Sequence, residues 1–356
     1  MSPHPARSNR LRRPTGLTLV DVLVGITVAS ISIIVVHQAF VAFGQLRRSA
    51  SAAADAEQTA SFAVAMLATA VGNAGAGIAA AARWLDACPA SADIAATQRP
   101  IVAMIVDGGG VDRPDSLVVR QAYQPRIGLP AAFAAAAPAG SAFRVQSPDG
   151  FAVGDRVVAI SRTGICAAAE ITVVDIPAAG ISEIAHTAVD VDLPVTSLLL
   201  NLGPAHRAST LRFDVASGAL RSTDVVNADA PAPLVSNIVN VKFQYGADRD
   251  GDGVLDAWVG AAAADGIDPA SLLSAPRAVL DRIVALRIGI VSRSEEFDPQ
   301  ATGGHRWVLF DCELPDRSAC PGRLEGTIGA SAAGGFRYRS HEIVVPLRNT
   351  LWNRAP

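Results

Sequence analysis

Residues 17–43 form an apolar run whose one charged side chain is Asp21, and no other stretch of the 356 residues limits the fold so strongly. A run of that length crosses the hydrocarbon layer of a bilayer as a helix. Ahead of it lie Arg7, Arg10, Arg12 and Arg13, with no apolar core among them. The leader is therefore not an ordinary secretory signal, in which the apolar region precedes the cut. Basic residues before an apolar span keep the N-terminus in the cytoplasm and direct the remainder of the chain outward. Asp21 is the exception that needs a reason. A carboxylate in such a segment costs about 2.5 to 3.5 kcal/mol on insertion scales, so it should have a partner or a task. The amino group released at Leu17 by cutting after Gly16 is one suitable partner, in this chain or a neighbouring one.

The helical pattern continues past the apolar run. Leu46, Ala50, Ala53, Ala60, Val64, Leu67 and Val71 recur at helical spacing until Gly72, Asn73, Gly75 and Gly77 break the pattern. The implied helix over 17–71 is about 80 Å long, too long for an ordinary globular element, and its amphipathic second half must lie against something. The rest of the chain reads as β-rich. Short runs of Val, Ile and Leu at 101–106, 116–123, 155–161, 170–174, 196–202, 210–215, 219–226, 237–245, 282–291, 306–310 and 337–346 are separated by turn signals such as Gly108-Gly109-Gly110 and Ser217-Gly218. The alanine-rich stretches 131–139 and 261–264 read as loop insertions or a short helix. One head with an elaborated antiparallel sheet is expected, with two subdomains meeting near residues 200–230 as the alternative.

Charge narrows the class of partner. The formal net charge is -3, and the leader contributes four arginines and no acid, so the remainder is more acidic still. Nucleic-acid binding is not suggested, because the sole basic cluster after the leader is Arg47-Arg48 at the end of the apolar helix. Four cysteines without Cys-x-x-Cys spacing suit disulfides in an oxidising compartment. Cys312 and Cys320 are near enough in sequence to close a small loop, which leaves Cys88 and Cys166 by elimination among the three connectivities that four cysteines allow.

The junction from Gly16 through Leu17-Thr18-Leu19-Val20 to Asp21, followed by the apolar helix, resembles the class III signal of type IV pilins and type II secretion pseudopilins. The resemblance implies cleavage after Gly16 by a prepilin peptidase, N-methylation of Leu17, and packing of the helix into a filament core with Asp21 acting in assembly. Phe usually stands where this chain has Leu17, and Glu where it has Asp21. The stretch from Gln58 to Leu67 running to Gly75, the run Val241-Lys242-Phe243-Gln244-Tyr245-Gly246 with the Asp/Gly loop after it, the segment from Val284 to Ser294, and the end from Arg337 to Asn349 are similar to PilW-type minor pilins. The fold this implies is α+β and pilin-like. It comprises a leader (1–16), a long N-terminal helix (17–75, with 17–43 in the membrane) and a β-rich antiparallel head (76–356) on which the helix packs. The function it implies is that of a non-enzymatic minor pilin in a tip complex that primes type IV pilus assembly. Its partners would be other minor pilins, the major pilin, a PilY-type adhesin and the inner-membrane assembly machinery. The chain would first be a single-pass inner-membrane prepilin with a periplasmic head and then enter the fibre. A type II secretion pseudopilin of the J type and a membrane-tethered adhesive module are the other readings.

Within the head, Asp248-Arg249-Asp250-Gly251-Asp252-Gly253-Val254-Leu255-Asp256 follows the first part of a calcium-binding EF-hand loop. Ca²⁺ takes six to eight oxygens, and Asp248, Asp250, Asp252, the Val254 carbonyl and Asp256 are the expected donors. Val259 stands where such a loop places its bidentate Glu, so Asp256 or a distant acid must complete the shell. Catalysis finds little support. His341-Glu342 lacks the second histidine of a zinc protease helix, and neither a Gly-x-Ser-x-Gly elbow nor a Walker loop occurs. His37 and Trp258, Trp307 and Trp352 read as interface or core residues.

Overall fold

A computed structural model describes residues 18–79, 88, 103–121, 130–177, 181–204, 210–225, 229–260, 271–272, 275, 277–312, 320–329 and 334–352. Two compact units are recognised, Met1–Ser51 and Ala52–Pro356. The helix α1 spans Leu19–Gly72. In the first unit its side chains from Leu19 to Phe43 are nearly all exposed. In the second unit α1 buries Ala52, Ala56, Ala60, Ala63, Val64, Leu67 and Val71. That seam follows the three- and four-residue steps of a helix face. Leu46 is 69% exposed, Ala50 is exposed and Ala53 only half-buried, so the buried face begins at Ala52 and these three positions of the sequence pattern lie off it. Alanine dominates the seam because it favours helix and lets another backbone come close.

The head is built from antiparallel strands. A five-stranded sheet has the order β1 (Ala103–Val106), β2 (Ser116–Arg120), β9 (Thr210–Ala216), β10 (Ala219–Asp224), β11 (Ala232–Ser236). A four-stranded sheet runs β13 (Ala257–Val259), β12 (Ile238–Ala247), β14 (Ile283–Arg293), β17 (Tyr338–Pro346), with the short helices α2 (Arg277–Leu280) and α3 (Arg348–Trp352) beside it in sequence. One core joins Leu67 and Val71 of α1 to Ile105, Leu117 and Leu220 of the first sheet and to Val241, Phe243, Leu286, Ile288 and Ile290 of the second. Each such large side chain contributes about 1.5 to 3 kcal/mol by leaving water. Inside this core the Tyr245 hydroxyl accepts the Ile105 N–H at 2.6 Å, which satisfies a group that burial would otherwise penalise.

Strand β14 is buried on both faces from Ile283 to Ser292. Its second face is covered by the β15 (His305–Leu309) and β16 (Leu324–Ile328) hairpin, through Val291, Trp307, Leu309 and Phe310. Gly289 permits this, since a Cβ there would sit 2.9 Å from Leu309 Cδ1.

Between β2 and β9, which are neighbours in space, the chain inserts six strands: β3 (Ala131–Ala132), β4 (Phe143–Val145), β5 (Asp155–Ile160), β6 (Cys166–Asp175), β7 (Ser182–His186) and β8 (Leu198–Pro204). Their order is β3-β8-β5-β6-β7-β4, and an antiparallel bridge between Phe133 and Val145 joins the two ends, so the sheet closes on itself as a small barrel. Phe133, Phe143, Val157, Ile171, Ile184 and Leu199 fill it. Closure removes free strand edges. Of the alanine-rich stretch 131–139, which the composition reads as a loop insertion or short helix, Ala131–Ala132 pair as β3, Phe133 and Ala137 make single bridges and are buried, and the remainder is loop. The stretch 261–264 lies outside the described residues.

Candidate functional site: an apolar helix start and an acidic loop

Gly16 and Leu17 lie outside the described residues, and the description begins at the cap of α1. The Thr18 N–H donates to Asp21 Oδ2 at 3.0 Å, the Thr18 hydroxyl donates to the same oxygen at 2.7 Å, and the Asp21 N–H donates to Thr18 Oγ1 at 3.3 Å. This is a reciprocal capping box, in which two otherwise orphaned amides of the first turn find side-chain acceptors. Asp21 therefore has a local task, and its other oxygen takes no part in it. Thr18 is a capping residue that the apolar pattern alone does not reveal, although Thr-x-x-acid spacing signals it. Further along, the Thr27 and Ser32 hydroxyls donate to the carbonyls of Val24 and Val28. That keeps polar atoms satisfied on a helix surface otherwise composed of residues such as Leu23, Ile26, Ile33 and Phe40. His37 is exposed, and Arg48 Nε donates to the Gly44 carbonyl at 3.4 Å.

From Ala52 onward the helix is fastened to the head by polar contacts as well as by its alanine seam. The Ser292 hydroxyl donates to the Ala56 carbonyl at 2.7 Å, and the Glu295 N–H donates to Asp55 Oδ2 at 2.8 Å. His341 Nε2 lies 2.6 Å from Glu57 Oε1, and Asn349 Nδ2 donates to the Ala74 carbonyl at 3.0 Å. Glu57 thereby gives His341 a structural partner.

The acidic loop connects β12 to β13. Asp248 is fully buried, and its two carboxylate oxygens accept the N–H groups of Gly251 (2.7 Å) and Gly253 (3.0 Å). Asp250 accepts from Asp252 N–H at 3.2 Å, Asp252 from Val254 N–H at 2.7 Å, and Asp256 from Arg249 N–H at 2.6 Å. Gly251 and Gly253 have φ of 85° and 91°, which is why glycine alternates with aspartate here. Carboxylate oxygens of Asp248, Asp250 and Asp256 lie within 4.8 Å of one another. Asp252 and Val254 are not part of that trio, and Val259 is buried in β13. Three convergent carboxylates are hard oxygen donors suited to Ca²⁺, which would draw its remaining ligands from carbonyls and water.

Cys88 is bonded to Cys166 and Cys312 to Cys320, with Cα separations of 5.6 and 5.7 Å. Cys88, Ile78, Ile160 and Leu200 form one apolar cluster, so the first bridge ties the segment after α1 to the barrel. Trp307 is buried beside β14, while Trp258 and Phe310 cover the Arg287 guanidinium at 4.8 and 4.3 Å. The side chain of Trp352 lies outside the described residues.

Residues 214–349 match the family model described as PilW, Type IV Pilus-assembly protein W. The match begins within β9 and ends within α3, so it takes in the four-stranded sheet and its covering hairpin and leaves the barrel outside. No curated protein and no solved structure matches the chain.

Proposed function

We propose, for a chain that is PilW-type over residues 214–349, that it acts as a minor pilin within a tip complex that primes type IV pilus assembly, without catalysis of its own. The observation that carries this reading is α1. Its first half is apolar and exposed beyond anything a water-soluble surface tolerates, and its second half is buried in the head. Such a helix suits a subunit that waits in a bilayer and then exchanges lipid for the apolar helices of other pilins. The inner membrane is the proposed starting point, after cleavage at Gly16 and methylation of Leu17. Other minor pilins, the major pilin and a PilY-type adhesin are the proposed partners. Asp21 serves twice in this reading, as a cap within its own first turn and as a counter-charge for an N-terminal amine.

The acidic loop is proposed to bind Ca²⁺ through Asp248, Asp250 and Asp256, with Asp252 and the Val254 carbonyl available if the loop tightens around the ion. The functional reading is tested by sheared pilus fractions from cells carrying the wild-type chain, Asp21→Glu or Asp21→Ala. Wild type and Asp21→Glu should appear in the fibre, and Asp21→Ala should be processed yet depleted several-fold. Complete retention of the wild-type chain in the membrane would overturn the reading.

A further inference from the structure

Lys242 is the single lysine of a chain with 30 basic residues, the others all arginine. It is buried against an acid: the side chains of Lys242 and Asp115 are 4% and 7% exposed, and Nζ lies 2.8 Å from Asp115 Oδ1. Lysine Nζ also donates to the Gly110 carbonyl at 2.7 Å. Two backbone amides hold the Asp115 carboxyl, with the Gly108 N–H donating to Oδ1 at 3.0 Å and the Phe243 N–H to Oδ2 at 3.2 Å.

An ordinary buried ion pair would be served as well by arginine, whose fork matches a carboxylate and which this chain uses for every other Lys/Arg–carboxylate pair among the described residues. Lysine offers what arginine does not: once it yields its proton it is a primary amine, a nucleophile toward carbonyl carbon. Burial disfavours the charged form of a carboxyl. For Asp115 desolvation outweighs the opposing pull of Lys242 and the two amides, so its carboxyl stands above the usual carboxylate range.

We propose that Lys242 and Asp115 condense to an intramolecular isopeptide bond. A proton moves from Nζ to the carboxylate, giving neutral amine and neutral acid. Nζ then attacks Asp115 Cγ and the C–N bond forms. The oxygen that takes up negative charge already receives an N–H, from Gly108 or Phe243, as an oxyanion site requires. Collapse breaks one C–O bond, and the oxygen departs as water with a proton released from nitrogen. Amine and acid become one amide and one water, with no oxidant, reductant or cofactor. A cavity of about 210 Å³ lined by both residues gives the water a place to go.

The product has no charge left to bury, whereas the ion pair it replaces keeps two. The bond would join the residue before β2 to β12 across 127 positions, enclosing the whole barrel insertion. Pulling on the barrel would then load a covalent link at the base of the insertion.

Peptide mass spectrometry of the full chain, purified in detergent, reduced and digested with trypsin, tests this without depending on how the leader is processed. Wild type should give a branched peptide that joins the Asp115 peptide to residues 222–249, left uncut at Lys242 because its Nζ is acylated, and lighter than those two stretches by one water. Asp115→Asn should still cross-link with loss of ammonia in place of water, and Lys242→Arg should give separate peptides. Separate, unmodified Asp115 and Lys242 peptides from folded wild type would overturn the proposal, whether or not either variant folds.

Discussion

Gly289 shows how one missing methyl shapes a surface. Leu309 and Phe310 rest on it, and an added Cβ would meet Leu309 Cδ1 at 2.9 Å and Phe310 Cε1 at 3.1 Å. Gly289→Ala should therefore overpack the β14–β15 interface and cost about 1 to 3 kcal/mol, read as a lower denaturant midpoint with an unchanged slope. His305, stacked on Tyr338 with ring centroids 4.9 Å apart, gives the pH counterpart. Burial, and secondarily the Arg339 charge, lower its pKa below the ordinary 6.5. The unfolded chain thus binds the proton first as pH falls. Above about 6.5 the group leaves stability unaffected, and below it stability declines toward the folded-state value. Melting temperatures from pH 7.5 to pH 5 should fall more in wild type than in His305→Gln, and parallel curves would remove His305 as the cause.

At the scale of elements, the acidic loop makes the most direct prediction. Calcium at 100 times its Kd would stabilise the fold by about 2.7 kcal/mol. The detergent-solubilised chain should therefore melt higher in calcium than in chelator, and Asp250→Ala or Asp256→Ala should abolish the difference. Asp252→Ala should reduce it less, because Asp252 lies outside the carboxylate trio. An identical melt in calcium and chelator would exclude the ion. Elements differ in how plainly their sequences announce them. Strands β12 and β14 carry dense Val and Ile and read directly as buried strands. Strand β3 is Ala131-Ala132, and alanine's local preference is helical; only pairing with Leu198 and Leu199 of β8 makes it a strand. The Asp/Gly alternation is legible because its acids lie within nine residues of one another, although Asp252 falls outside the trio that the loop brings together. The Lys242–Asp115 contact is not, since its partners lie 127 residues apart and nothing local marks either one.

For the whole molecule, the two disulfides act over different spans. Cys88–Cys166 closes 78 residues and Cys312–Cys320 closes 8. Chain entropy assigns about 4.5 kcal/mol to the first and about 2.5 kcal/mol to the second. Denaturant unfolding of Cys88→Ser/Cys166→Ser should show the larger loss, and equal losses would mean that the denatured chain is already constrained around the barrel. The barrel itself bears on how the head assembles. Strand β2 must wait for β9, and along the extended chain the intervening loop is long, with a closure cost that grows with its length. Yet the first and last inserted strands are direct partners, Ala131 facing Leu199 and Ala132 facing Leu198. Once the barrel has formed, its entrance and exit lie side by side, and the polymer joining β2 to β9 is shortened to little more than its two tethers. A folding intermediate holding only the barrel would thus already have gathered the ends of the sheet that the rest of the head needs.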